Sequence, residues 1–195
     1  MKAFRCATAA FLMWVATTAA DAQSDISPGE ILQSLAGTGK AAQSAGIDIA
    51  AARAEIQNRI KNERGENAAS PPPILQALAT LPNLTLLIEF DYDSDRVKPS
   101  SYHSLARIAD ALHHPLLMSY AFAVVGHTDA AGSRQYNFDL SERRVAAVVD
   151  ALTTTFRVDP AQLVGLGVGE EQLREPSKPK DASNRRVQFI NIGPR

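Results

Sequence analysis

The stretch that most constrains the fold is Tyr120 to Val125, read as Tyr-Ala-Phe-Ala-Val-Val. It is apolar on both faces of an extended chain, so it predicts a strand buried on two sides, in the middle of a sheet. Its surroundings extend that inference. Leu84, Leu86, Ile88 and Phe90 alternate with Thr85, Leu87 and Glu89, which predicts an earlier strand. Pro99 opens a helix whose inner face carries Tyr102, Leu105, Ile108 and Leu112, and Pro115 stops it. After the inner strand comes a long helix, roughly 134–155, with Val145, Val148, Val149, Leu152 and Phe156 as its core stripe. Asp159-Pro160 caps a turn, Leu163 to Leu166 gives a short strand, 170–184 is a polar loop, and Arg186 to Ile192 is the last strand. The expected fold class is α/β, with elements in the order β-α-β-α-β-β. It spans about residues 74–195.

The preceding residues divide into three parts. Lys2 and Arg5, the apolar run Ala7 to Ala19, and Ala20-Asp21-Ala22 make a secretory signal over 1–22. The only cysteine, Cys6, lies before the apolar run and not at the cleavage junction. A lipid-modified start is therefore not expected, and the matured chain would contain no thiol. Residues 23–62 are rich in Ala and Gln and read as helical or partly disordered. Ser27-Pro28-Gly29-Glu30 has the form of a capping box, and Ile49, Ala52, Ile56 and Ile60 form a thin stripe on a helix from Asp48 to Lys61. Residues 63–73 end in Pro71-Pro72-Pro73 and read as a semi-rigid linker and domain boundary. The part before that linker is too short, and lacks the alternation, for a membrane barrel.

Charge narrows the function. Twenty basic residues against 21 acidic ones leave a net of −1, which excludes the basic excess of a general nucleic-acid binder. Catalysis finds little support. Ser94, His127 and Asp129 are hydrolase residue types, but no Gly-x-Ser-x-Gly elbow accompanies them. His113-His114 before Pro115, with His127 and Asp129, lacks the spacing of a metal site. Gly165-Leu166-Gly167-Val168-Gly169 is not followed by a helix, so it is no dinucleotide fingerprint. The expectation is a binding protein, not an enzyme, with neither cofactor nor metal.

The chemistry-bearing residues gather after the inner strand. Gly126-His127-Thr128-Asp129 is followed by Gly132, Tyr136-Asn137, Leu140-Ser141 and Arg144, and Asn184-Arg185-Arg186-Val187 stands near the end. This ordered set resembles the signature of the OmpA-like domain family. Phe90-Asp91-Tyr92-Asp93-Ser94 resembles that family's first strand and loop, and Gly167-Val168-Gly169-Glu170 its late turn. The resemblance covers about Leu84 to Ile192. It implies an α+β sandwich of helices packed on a mixed sheet that binds peptidoglycan noncovalently through the diaminopimelate of the stem peptide, held by Asp129 and Arg144, with Asn137 in the pocket. Thr128 joins them through its place in the same motif. Asp93 stands where the family often has Asn, and Arg186 is placed at the pocket rim. The implied setting is the periplasm or outer membrane of a Gram-negative-type envelope, with peptidoglycan as partner and other envelope proteins reached through the N-terminal region. A structural or assembly role without peptidoglycan binding is the alternative.

The residue types suit that ligand on chemical grounds. The free end of diaminopimelate carries an ammonium and a carboxylate. Asp129 can accept from the first, and the Arg144 fork can grip the second in bidentate fashion. Asn137, Leu140, Ser141 and Arg144 follow helical spacing and share one face.

Overall fold

The computed structural model describes residues 26–37, 47–62, 70–91 and 93–195. The expected signal segment lies outside the described residues.

Helix α1 (Pro28–Ala36) begins as its sequence requires. Ser27 Oγ accepts from Glu30 N at 3.3 Å, and Glu30 Oε2 accepts from Ser27 N at 2.7 Å. This capping box satisfies two backbone donors that the first turn leaves without partners. Helix α2 (Ile49–Asn62) starts on Asp48, whose Oδ1 accepts from Ala50 N and Ala51 N. Helix α3 (Pro73–Ala79) begins at the third proline of the triplet, where the linker was expected to run on extended. A missing N–H costs nothing at a first helical position, so Pro73 initiates rather than obstructs.

Strand β1 (Asn83–Leu86) is shorter than the alternating pattern through Phe90. Ile88 is still buried, but Phe90 pairs with Val97 instead of continuing the ladder. One 3₁₀ turn, Pro99–Ser101, leads into α4 (Tyr102–Leu112). Strand β2 (Tyr120–His127) is followed by α5 (Arg134–Asp150), which ends in a wide π turn, Ala151–Thr155. Strands β3 (Leu163–Gly169) and β4 (Val187–Pro194) complete the sheet.

The sheet order is β1-β4-β2-β3. β2 runs parallel to β3 and antiparallel to β4, and β1 is antiparallel to β4. The sheet is therefore mixed, and the element order is the expected β-α-β-α-β-β. Period-2 alternation sends successive residues of β2 and β4 into different layers. Phe122, Val124, Val187 and Phe189 pack with α1, α4 and α5 through Leu35, Leu105, Ile108, Val145 and Val148. Ala123, Val125, Leu166, Val168 and Ile190 pack with α2 and α3 through Ile49, Ala52, Ile56, Leu75 and Leu78.

The thin stripe of α2 is thus spent on the sheet. Ile49, Ala52 and Ile56 are buried there, so the stripe is not a free surface for another protein. Each fully buried Ile or Leu contributes about 1.5–3 kcal/mol of burial. Two side chains fix the helix in register. Arg53 donates to Gly165 O at 2.6 Å and pairs with Glu142 at 3.0 Å, and Arg59 lies 3.7 Å from Glu171. The Gly165 contact also occupies part of the exposed edge of β3, where a carbonyl would otherwise be open to another strand. No described helix is long and apolar enough to cross a membrane.

Candidate functional site

The site lies where β2 ends and α5 begins. Ser133 caps α5 by accepting from Tyr136 N at 3.2 Å, so the first helical turn carries Tyr136 and Asn137 and the third carries Arg144. A pocket of about 620 Å³ is walled by this helix, by Thr128, Asp129 and Ala131 after β2, by Phe90, Asp91, Asp93 and Lys98, and by Arg185. Of the residues expected from sequence, Asp93, Thr128, Asp129, Asn137 and Arg144 come together in it.

Asp129, Arg144 and Asp93 are each held by a neighbouring residue. Asp129 Oδ1 accepts from Ala131 N at 3.1 Å, and its Oδ2 accepts from Arg185 Nη1 at 2.5 Å. A carboxylate has about four acceptor positions, so capacity remains. Arg144 donates from Nε to Ser94 O at 3.0 Å, and its guanidinium carbon sits 4.7 Å from the centre of the Phe90 ring. That stacking fixes the plane of the fork. Burial draws the Arg144 pKa down, with Tyr136 and Asp129 opposing; an arginine stays charged regardless. Asp93, at a positive φ of 49°, accepts from the Tyr136 hydroxyl, and this contact raises the tyrosine pKa. Thr128 Oγ1 is buried with no hydrogen-bond partner among the described residues.

Under the pocket lies a fully buried polar layer. Asn137 Nδ2 donates to Glu170 Oε2 at 2.5 Å. Arg134 grips Glu171 with both arms, at 2.8 and 2.7 Å. Burial raises the Glu170 pKa, against the hydrogen bond from Asn137. This layer depends on close approach of β3 to α5. A Cβ on Gly167 would lie 2.4 Å from Glu142 N, and one on Gly169, at φ +54°, 2.8 Å from Phe138 N. The missing side chains let Ser141 Oγ accept from Gly169 N at 2.9 Å and Glu142 Oε1 accept from Gly167 N at 2.7 Å. Ser141 therefore serves the helix–strand contact and does not line the pocket, although it shares helical spacing with Asn137 and Arg144.

Arg186 does not reach the pocket. It is buried on the other side of the strand entry, donating to Asn184 O at 3.3 Å and Gln172 O at 3.0 Å, and burial pulls its pKa down to about 10. Arg185 takes the rim position instead. Strand parity carries the signal: Arg185 shares its side with Val187 and Phe189, which face α5, whereas Arg186 falls with Gln188 and Ile190. Phe90, Lys98 and Tyr136 were also not singled out from sequence as wall residues. His127 is buried, bonds Gln188 Oε1 at 2.7 Å through Nε2, and does not line the pocket. Among the described residues no three His, Cys, Asp or Glu side chains group as metal ligands.

A mixed sheet packed between helices, with a charged pocket where β2 leads into α5, defines an α/β domain. Residues 89–186 match the sequence model of the OmpA family, and the chain belongs to that family. It is 34% identical over 129 residues to the peptidoglycan-associated lipoprotein of Pseudomonas aeruginosa, covering 64% of this chain and 73% of that one. It is 35% identical over 115 residues to outer membrane porin F of the same species, covering 57% of this chain. It spans only 32% of that porin's length. A solved peptidoglycan-associated lipoprotein from Burkholderia pseudomallei aligns with a TM-score of 0.46 and 27% identity, over 53% of this chain and 87% of that one.

Proposed function

We propose that this domain binds peptidoglycan noncovalently by holding the free end of diaminopimelate in the stem peptide. The observation that carries this reading is the convergence of Asp129 and Arg144, 15 residues apart in sequence, on one pocket with their outer valences open. The Nη edge of Arg144 faces the ligand carboxylate while Nε and the ring stack hold it in place. Asp129 takes the ammonium, sharing its carboxylate with Arg185. Asn137 gives its amide nitrogen to Glu170, which leaves the carbonyl oxygen as a further acceptor. Thr128 Oγ1 gains the partner it lacks. Asp93 and Tyr136 form the outer wall. Arg186 supports the strand entry and has no contact with the ligand. The protein acts in the cell envelope as a binding module, without catalysis.

The test is co-sedimentation of the protein with purified sacculi that contain diaminopimelate. Asp129→Ala and Arg144→Ala should each weaken retention, since truncating one side of a desolvated charge pair costs about 2–5 kcal/mol of binding. Undiminished retention of both variants overturns the assignment. Incubation with sacculi should release no soluble muropeptides; release would favour an enzyme.

A further inference from the structure

A second groove of about 240 Å³ shares the wall formed by Phe90, Lys98, Arg144 and Arg185, so it is continuous with the first pocket. Its remaining lining differs in character. Leu87, which is half exposed, and Ala182 give it an apolar rim, and Glu89 is its single carboxylate. Three cations thus face one anion here, whereas in the first pocket the same three face Asp91, Asp93 and Asp129. Glu89 is also engaged, accepting from Ser100 Oγ at 2.8 Å. The Lys98 ammonium, in contrast, has no hydrogen bond or ion pair among the described residues. Among the described residues, this ammonium between two connected cavities is within reach of carboxylates but bonded to none.

We propose that this groove is a second subsite that takes the free carboxylate of the residue preceding diaminopimelate in the stem, with Lys98 as its principal partner. The inference rests on the reading of the first pocket given above. A ligand whose zwitterionic end fills the balanced pocket must lead its chain out past the shared wall. In the stem peptide the neighbouring residue is a glutamate joined through its side-chain carboxyl, so its α-carboxyl group remains ionised. Lys98 meets that charge, Arg185 flanks it, and Leu87 with Ala182 cover the adjoining methylene groups. Amidation of the glutamate removes the charge and leaves the shape almost unchanged, so the subsite makes the domain sensitive to that one modification.

Two synthetic tripeptides supply the test, Ala-γ-Glu-diaminopimelate and the same peptide with the glutamate α-carboxyl amidated, each titrated calorimetrically at low salt. Wild type should bind the ionised peptide about fivefold more tightly, the range of a partly exposed ion pair. The preference should shrink at high salt. In Lys98→Gln and Lys98→Ala it should fall to about unity. Equal affinity of wild type for both peptides overturns the subsite alone. Full discrimination retained by both Lys98 variants overturns it as well. Failure of either peptide to bind, with sacculus retention untouched by Arg144→Ala, overturns the first pocket and the subsite with it.

Discussion

Arg144 and Arg134 stand on the same helix, and the contrast between their surroundings separates recognition from support. Arg134 is buried, and Glu171 meets it with two oxygens. Asn137 and Glu170 beside it are likewise matched. Arg144 is half exposed, spends one N–H on Ser94 O and one face on Phe90, and keeps the rest of its fork open. Identical chemistry therefore serves opposite ends. Satisfied in the interior, it braces β3 against α5; left partly unsatisfied at the surface, it stays available to a ligand.

The sharpest way to break this contrast is at Glu171. Glu171→Ala removes the carboxylate that Arg134 grips with both arms in the interior, and unfolding free energy measured by denaturant titration should drop by about 3–5 kcal/mol. Ile56→Ala comes next. It removes a fully buried side chain from beneath the sheet and should cost about 2–4 kcal/mol on the same measurement. His127 gives a smaller, pH-dependent effect. Burial, then the Arg186 charge, holds its pKa well below 6.5, so the folded protein keeps it neutral. The unfolded chain takes up a proton near 6.5 while the folded one does not. Stability should therefore decline as pH falls below that value, by up to about 1.4 kcal/mol per pH unit for one proton. His127→Asn should lose that part of the slope. Least affected should be the fold of Arg144→Ala, by less than about 1 kcal/mol, even as retention on sacculi collapses. A large stability loss in that variant would erase the distinction between the two arginines.

Much of this was legible in the sequence, because it depends on local periodicity. The doubly apolar run at Tyr120 marked the inner strand, the Val145–Leu152 stripe marked the long helix, and Ser27 with Glu30 marked the start of α1. The motif after β2 marked four wall residues of the pocket, and the segment after the first strand supplied Asp93. What escaped was long-range. Arg185 and Arg186 are adjacent, and only their parity against the core decides which reaches the rim. The use of α2 to cover one face of the sheet rests on Arg53, Arg59 and three small or branched apolar side chains, too sparse a pattern to name its partner. Phe90 read as a strand residue, but the turn to Val97 converts it into a platform for Arg144.

The docking of the first two helices has a mechanical consequence. α1 grips one layer, with Leu35 O accepting from Asn191 Nδ2 at 2.9 Å, and α2 grips the other through Arg53 and Arg59. Tension applied between the ligand pocket and the start of α1 must peel that helix before any load reaches α2. Two buried side chains, Ile31 and Leu35, and the Asn191 bond are what that first step must break.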